Sequence, residues 1–210
     1  LHVLAGRIAL ERGQLERSYH LFNAAIELTE RTATAYYYRG VVLQRWRQYE
    51  GAYESYKRAY EIQPDEAAYL MATAEMLVEL DRTDEGIKLL EDKLYYFDQN
   101  ASMRAALGHF HVAARRPDRA IQYFQKASLL DPENLKIQEE LAMALMAAGH
   151  TDKAVTYLEK LLKNDHLKDR RDLRKALARC HLELGQITEA REQYLQLGRG
   201  PRAEADDWIR

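Results

Sequence analysis

Small and apolar residues recur along this chain with a period of 34. Ala25 and Ala59, Phe22 and Tyr56, Gly6 and Gly40, and Ala120 and Ala154 each lie 34 positions apart. Gly40 and Gly108, Ala52 and Ala120, Tyr56 and Phe124, and Pro64 and Pro132 lie 68 apart, which places a more divergent unit between them. The stretch 101–134 carries the pattern most fully, with Leu107 and Gly108, then Ala120, Phe124 and Ala127, then Pro132. Six units follow: 1–32, 33–66, 67–100, 101–134, 135–168 and, after two extra residues, 171–204, with the start of a seventh at 205–210. The period predicts two helices per unit, each of about 13 residues and roughly 20 Å long.

The breaks between helices agree with that count. Gly13, Gly149 and Gly185 fall between the two helices of a unit, where a left-handed residue closes a helix. Arg47, Asp81 and Arg115 stand at the same place and fill it less comfortably. Pro117 suits the first turn of a helix, and Pro64 and Pro132 stop one. Small Gly40, Ala52, Ala74, Gly108 and Ala120 let backbones approach, while Phe22, Tyr56, Leu90, Phe124, Leu158 and Tyr194 are expected to fill the space between neighbouring units. The third unit departs most, with Gly86, Leu90 and Lys93 at the signature sites and Asp98 in place of the Pro, so its packing is expected to be the least secure.

Over nearly its whole length this pattern resembles the tetratricopeptide repeat (TPR) family. The family's Trp-x-x-Leu-Gly-x-x-Tyr first helix is matched by Tyr36-x-x-Arg39-Gly40-x-x-Leu43, Arg104-x-x-Leu107-Gly108-x-x-His111 and Gln138-x-x-Leu141-Ala142-x-x-Leu145. Its second helix is matched by Ala52/Tyr56/Ala59, Ala120/Phe124/Ala127, Ala154/Leu158 and Ala190/Tyr194. The resemblance implies an all-α fold, a right-handed α-solenoid of helix–turn–helix repeats forming one domain over 1–210. It also implies a protein-interaction scaffold that holds a peptide or helical segment of another protein in a concave groove. One face of each first helix lines that groove in the family. Here the face carries Tyr37, Tyr38 and Val41, then Met71 and Glu75, then His109 and Val112, then Glu139, Met143 and Met146. Large amphipathic rings and adaptable Met side chains suit a partner with apolar anchors. The bland alternative is that they pack on adjacent helices. Ala105, Ala106, His109 and Val112 are expected to form the floor, with the grip coming from Tyr37 and Tyr38 on one side and Met143 and Met146 on the other.

Composition narrows the partner. Hydrophobic residues make up 47% with only four Pro, as an all-helical chain requires, and the formal net charge of −2 recommends neither nucleic acid nor an anionic membrane. The basic run of Lys168, Arg170, Arg171, Arg174 and Lys175 is broken by Asp169 and Asp172. Cys180 is the single cysteine, excluding an internal disulfide, and is read as a buried apolar residue. His109 and His111 point to different faces of one helix, and His111 and His181 share a packing site, so no metal or other cofactor is expected. Glu139 and Glu140 diverge by about 100° and are expected to form a solvated acidic patch rather than a catalytic pair. Two specialised family modes lack their residues. A Lys/Asn carboxylate clamp is replaced by Val3, Arg7, Tyr38, Ala68 and Ala72, and an Asn ladder by Leu4, Tyr38, Ala72, Ala106, Glu140 and Ala176.

No catalytic constellation stands out, so an enzyme is not expected within these residues. The alternatives are a regulatory or substrate-recruiting arm of a larger multidomain enzyme and an array that self-associates through exposed end repeats. No apolar run reaches membrane-spanning length and no leader is visible, which favours a soluble, cytoplasmic protein. The chain opens on Leu1, so the true amino terminus is expected to be missing.

Overall fold

A computed structural model describes residues 1–198. Among these the chain is all α-helix apart from turns and one 3-10 turn, and it divides into two compact units, residues 1–98 and residue 99 onward. The first unit contains three helical hairpins: α1 (His2–Glu11) with α2 (Leu15–Leu28), α3 (Ala33–Arg45) with α4 (Tyr49–Ile62), and α5 (Ala67–Glu79) with α6 (Thr83–Glu91). The second contains α7 (Ala101–Ala113) with α8 (Pro117–Leu130), α9 (Leu135–Ala147) with α10 (Thr151–Leu162), and α11 (Arg171–Glu183) with α12 (Ile187–Gly198). This is an all-α repeat fold with the hairpin boundaries that the 34-residue period predicts. The proposed start of a seventh repeat, including Trp208, lies outside the described residues.

Each hairpin turn is built the same way. Gly13, Arg47, Asp81, Arg115, Gly149 and Gly185 all have φ between 56° and 78°. At every one a pair of backbone hydrogen bonds closes the helix, as where Arg115 N–H donates to Val112 O (2.9 Å) and Arg116 N–H to His111 O (2.8 Å). An L-residue in this region is strained by about 1 kcal/mol or more. Arg115→Gly is therefore expected to raise the stability of the second unit by about 0.5–1 kcal/mol, read as a shift in the urea midpoint at unchanged slope.

The glycines before the turns are set by the rings that follow. A Cβ on Gly6, Gly40 or Gly108 would stand 2.6 Å from Cε1 of Phe22, Tyr56 or Phe124, each 16 residues further on. All three rings are buried. Where the small residue is Ala74 or Ala142, the residue 16 positions on is Leu90 or Leu158. The large rings Phe22, Tyr56 and Phe124 thus fill the inside of their own hairpins.

The third hairpin is irregular, as its sequence foretells. α6 has 9 residues, against 12–14 in the other second helices, and a 3-10 turn over Leu94–Phe97 replaces its end. Lys93 stands where Ala25, Ala59 and Ala127 are buried, and an ammonium cannot be buried unpaired at such a site. The regular helix stops before it, leaving Tyr95 and Tyr96 exposed. Among the described residues no helix is long and apolar enough to cross a membrane.

Candidate functional site: a groove between α7 and α9

The second unit contains a groove of about 780 Å³ between the first helices of two successive hairpins. Both helices start from a fixed point. Asn100 Oδ1 accepts from Met103 N–H (2.9 Å) at the head of α7, and Asn134 Oδ1 accepts from Ile137 N–H (3.3 Å) at the head of α9. Phe124 from α8 forms the floor, with Val112 of α7 and Met143, Ala144 and Ala147 of α9 along the sides. Val112 is 50% exposed and Met143 37%, so large apolar surface faces solvent here.

The rim is polar and already matched in charge. The His109 ring meets Phe124 edge to face (5.2 Å), and its Nε2 lies 3.0 Å from Glu140 Oε1, which Lys136 approaches at 3.8 Å. Arg170 folds back from the long loop before α11 to donate to Glu139 (2.9 Å) and Asp172 (2.5 Å). Its hydrogen bonds to Asp172 hold that carboxyl below the usual carboxylate range, and Asp172 followed by Glu139 raises the guanidinium. The expected solvated acidic patch is therefore corrected. Glu139 and Glu140 line the same groove and are partly buried, Glu139 paired with Arg170 from the loop before α11 and Glu140 with Lys136 one turn away, with His109 Nε2 of α7 facing it across the groove.

The sequence-predicted residues fall into two groups. His109, Val112, Glu139 and Met143 come together on this groove. Met146 packs instead against the apolar core of the second unit, Ala105 is buried and Ala106 half-buried. In the first unit Tyr37 lies among Tyr38, Tyr56 and Tyr69 at 5.0–5.4 Å, and burial, with the neighbouring Tyr38 and Glu75, raises its phenol pKa. Tyr38 stacks on Phe22 at 5.7 Å under the Arg7 guanidinium, and Val41 joins the same apolar packing. Met71 is half-buried and Glu75 exposed. Phe124, Lys136, Arg115, Pro117 and Arg170 were missed. Phe124 reads as a packing residue in the sequence, and it is one, but a first-helix face alone does not show that its buried ring also underlies the groove.

The basic run and the two packing-site histidines are engaged in structure. Arg171 donates to Leu197 O (2.9 Å), and Arg174 to Gln193 Oε1 (3.1 Å), Gln196 and Lys168 O (2.5 Å), so the basic run is tied to its own loop and to α12. His111 is buried against Tyr123, and His181 is buried with Nδ1 2.7 Å from Gln186 Oε1, both at the predicted packing site. Burial raises the Cys180 thiol. Among the described residues no three His, Cys, Asp or Glu side chains gather where they could hold a metal ion.

Two family models described as tetratricopeptide repeat match residues 3–67 and 111–171. No curated protein matches the chain. Among solved structures it is similar to pilF of Pseudomonas aeruginosa (21% identity, TM-score 0.75, covering 94% of this chain and 89% of that one). PilW, a type IV pilus biogenesis factor, is similar at 18% identity and TM-score 0.78, covering 94% and 90%. YrrB, a TPR protein with an unusual peptide-binding site, is similar at 20% identity and TM-score 0.67, covering 84% and 90%. At these identities the likeness is one of fold. With repeat signatures in both compact units and hairpins at the predicted period, the chain belongs to the tetratricopeptide repeat family.

Proposed function

We propose that this chain acts by binding alone, as a protein-interaction scaffold that docks an apolar-anchored segment of a partner in the α7–α9 groove. The exposure of Val112 and Met143 above the Phe124 ring carries this reading, since apolar side chains framed by a polar rim are the anatomy of a docking site. Met143 adapts its shape to an incoming side chain, and the paired rim charges set register without leaving an unmatched ion under the ligand. The peptide-binding site named for YrrB supports the class of ligand. Tyr37, Tyr38, Val41 and Met146 serve this function indirectly, by fixing the hairpins.

The test places a photo-crosslinking residue at Val112 and, as a control, at exposed Lys126 on α8. The chain is then exposed to extract from its source cells. A partner captured from position 112 and not from 126 is expected, and Met143→Glu should weaken its binding tenfold or more, about 1.4 kcal/mol. Identical capture by a still-helical Met143→Glu variant overturns the reading.

A further inference from the structure

We propose, resting on the docking reading above, that the segment held in the α7–α9 groove carries an acidic side chain about one helical turn from its apolar anchor, and that Arg115 receives it. Along the two helices the lining runs in steps of three or four residues, or about 5 Å: His109 opposite Glu140, then Val112 with Met143, then Arg115 with Ala147. The middle step is apolar and takes the anchor. The first is settled within the fold, where Glu140 has Lys136 and His109 beside it and the neighbouring Glu139 has Arg170. The third is not.

Arg115 is exposed, and its guanidinium makes no hydrogen bond, ion pair or ring contact with the described residues. Of the four formal charges that line the groove, Arg115, Lys136, Glu139 and Glu140, it alone is in that state. The turn does not call for an arginine either. At φ 58° or less on a left-handed turn glycine is the unstrained residue, and Gly13, Gly149 and Gly185 hold the same place in other hairpins while Arg115 stands at φ 56°. A guanidinium that spends none of its donors on the fold is free to take a carboxylate in the bidentate geometry the two groups share. Glu139 and Glu140 in the same groove favour a singly charged carboxylate over a doubly charged phosphate, which one arginine would leave half neutralised. In a helical ligand, an apolar residue and an Asp or Glu three or four positions away match the step from Val112 and Met143 to Arg115.

The test selects a random library of peptides of about 14 residues, four helical turns, on the 210-residue chain. The peptides are displayed as amino-terminal fusions, so that none offers a free terminal carboxylate. Binders lost on Met143→Glu are groove ligands, and these are expected to share a large apolar residue with an Asp or Glu three or four positions away. Replacing that acid with Gln in a synthetic, amidated groove ligand should weaken binding to the wild-type chain about threefold to fivefold, and to Arg115→Gly less than about 1.5-fold. Arg115→Gly is expected to be the more stable chain, and circular dichroism checks its helices, so a loss of discrimination is not a loss of folding. Groove ligands without a shared acid, or an acid whose removal costs the same in both chains, overturn the role of Arg115 and leave the groove standing as a docking site. Binders indifferent to Met143→Glu, or no binders at all, overturn the docking reading and the role of Arg115 with it.

Discussion

Replacing Gly108 with Ala is expected to destabilise the second unit by about 1–3 kcal/mol. The added Cβ would stand 2.6 Å from Cε1, 2.7 Å from Cζ and 2.8 Å from Cδ1 of Phe124, well inside van der Waals contact. The ring cannot retreat, because it is buried in a core with Ile121, Leu141 and Leu145. Ala is the better helix former by about 1 kcal/mol, which offsets only part of the clash. The chain itself indicates the remedy, since Ala142 is followed at the same spacing by Leu158. Gly108→Ala combined with Phe124→Leu should therefore be more stable than the sum of the two single changes predicts, by about 1 kcal/mol or more. Urea unfolding followed by helix circular dichroism reads all four corners of the cycle. Strict additivity would show that glycine and ring are not paired. Because Phe124 is also the groove floor, the single Gly108→Ala change should weaken partner binding along with stability.

The same pair shows how far the sequence reaches. Small residues at fixed spacing were enough to place every hairpin, and the six left-handed turns followed even where Arg47, Asp81 and Arg115 replace glycine. The irregular end of α6 was legible in Lys93, because a charge at a buried alanine site admits few outcomes. The groove was harder to read. A helix face can be projected from 3.6-residue periodicity, yet that projection cannot say which side chains a neighbouring helix will cover. Tyr37 and Met143 occupy groove-facing positions of the same class, but Tyr69 and Tyr56 surround the first while the second stays open over Phe124. Arg170 lies outside the repeat, in the inserted loop, so the period held no signal that it would neutralise Glu139.

The first unit is expected to unfold in alkali because of where its phenols lie. Burial, followed by the neighbouring Tyr37 and Glu75, raises the Tyr56 pKa well above the ordinary value of 10.0, and burial leads the same effect at Tyr37. The unfolded chain releases these protons near pH 10, whereas the folded unit retains them. Stability from this source is thus complete below about pH 10 and is lost as pH rises toward the folded values. Trp46 reports on the first unit alone once Trp208 is changed to Phe, so its fluorescence, read beside phenolate absorbance, gives the alkaline midpoint of that unit. Tyr56→Phe should move that midpoint upward by about 1 pH unit. At neutral pH it should cost about 1 kcal/mol, because the phenol donates to Gln44 Oε1 at 2.7 Å. An unchanged alkaline midpoint in Tyr56→Phe would remove burial of this phenol as the cause. Tyr37→Phe should shift the midpoint in the same direction and leave partner capture at the α7–α9 groove intact, which separates an aromatic that holds the hairpins from one that grips a ligand.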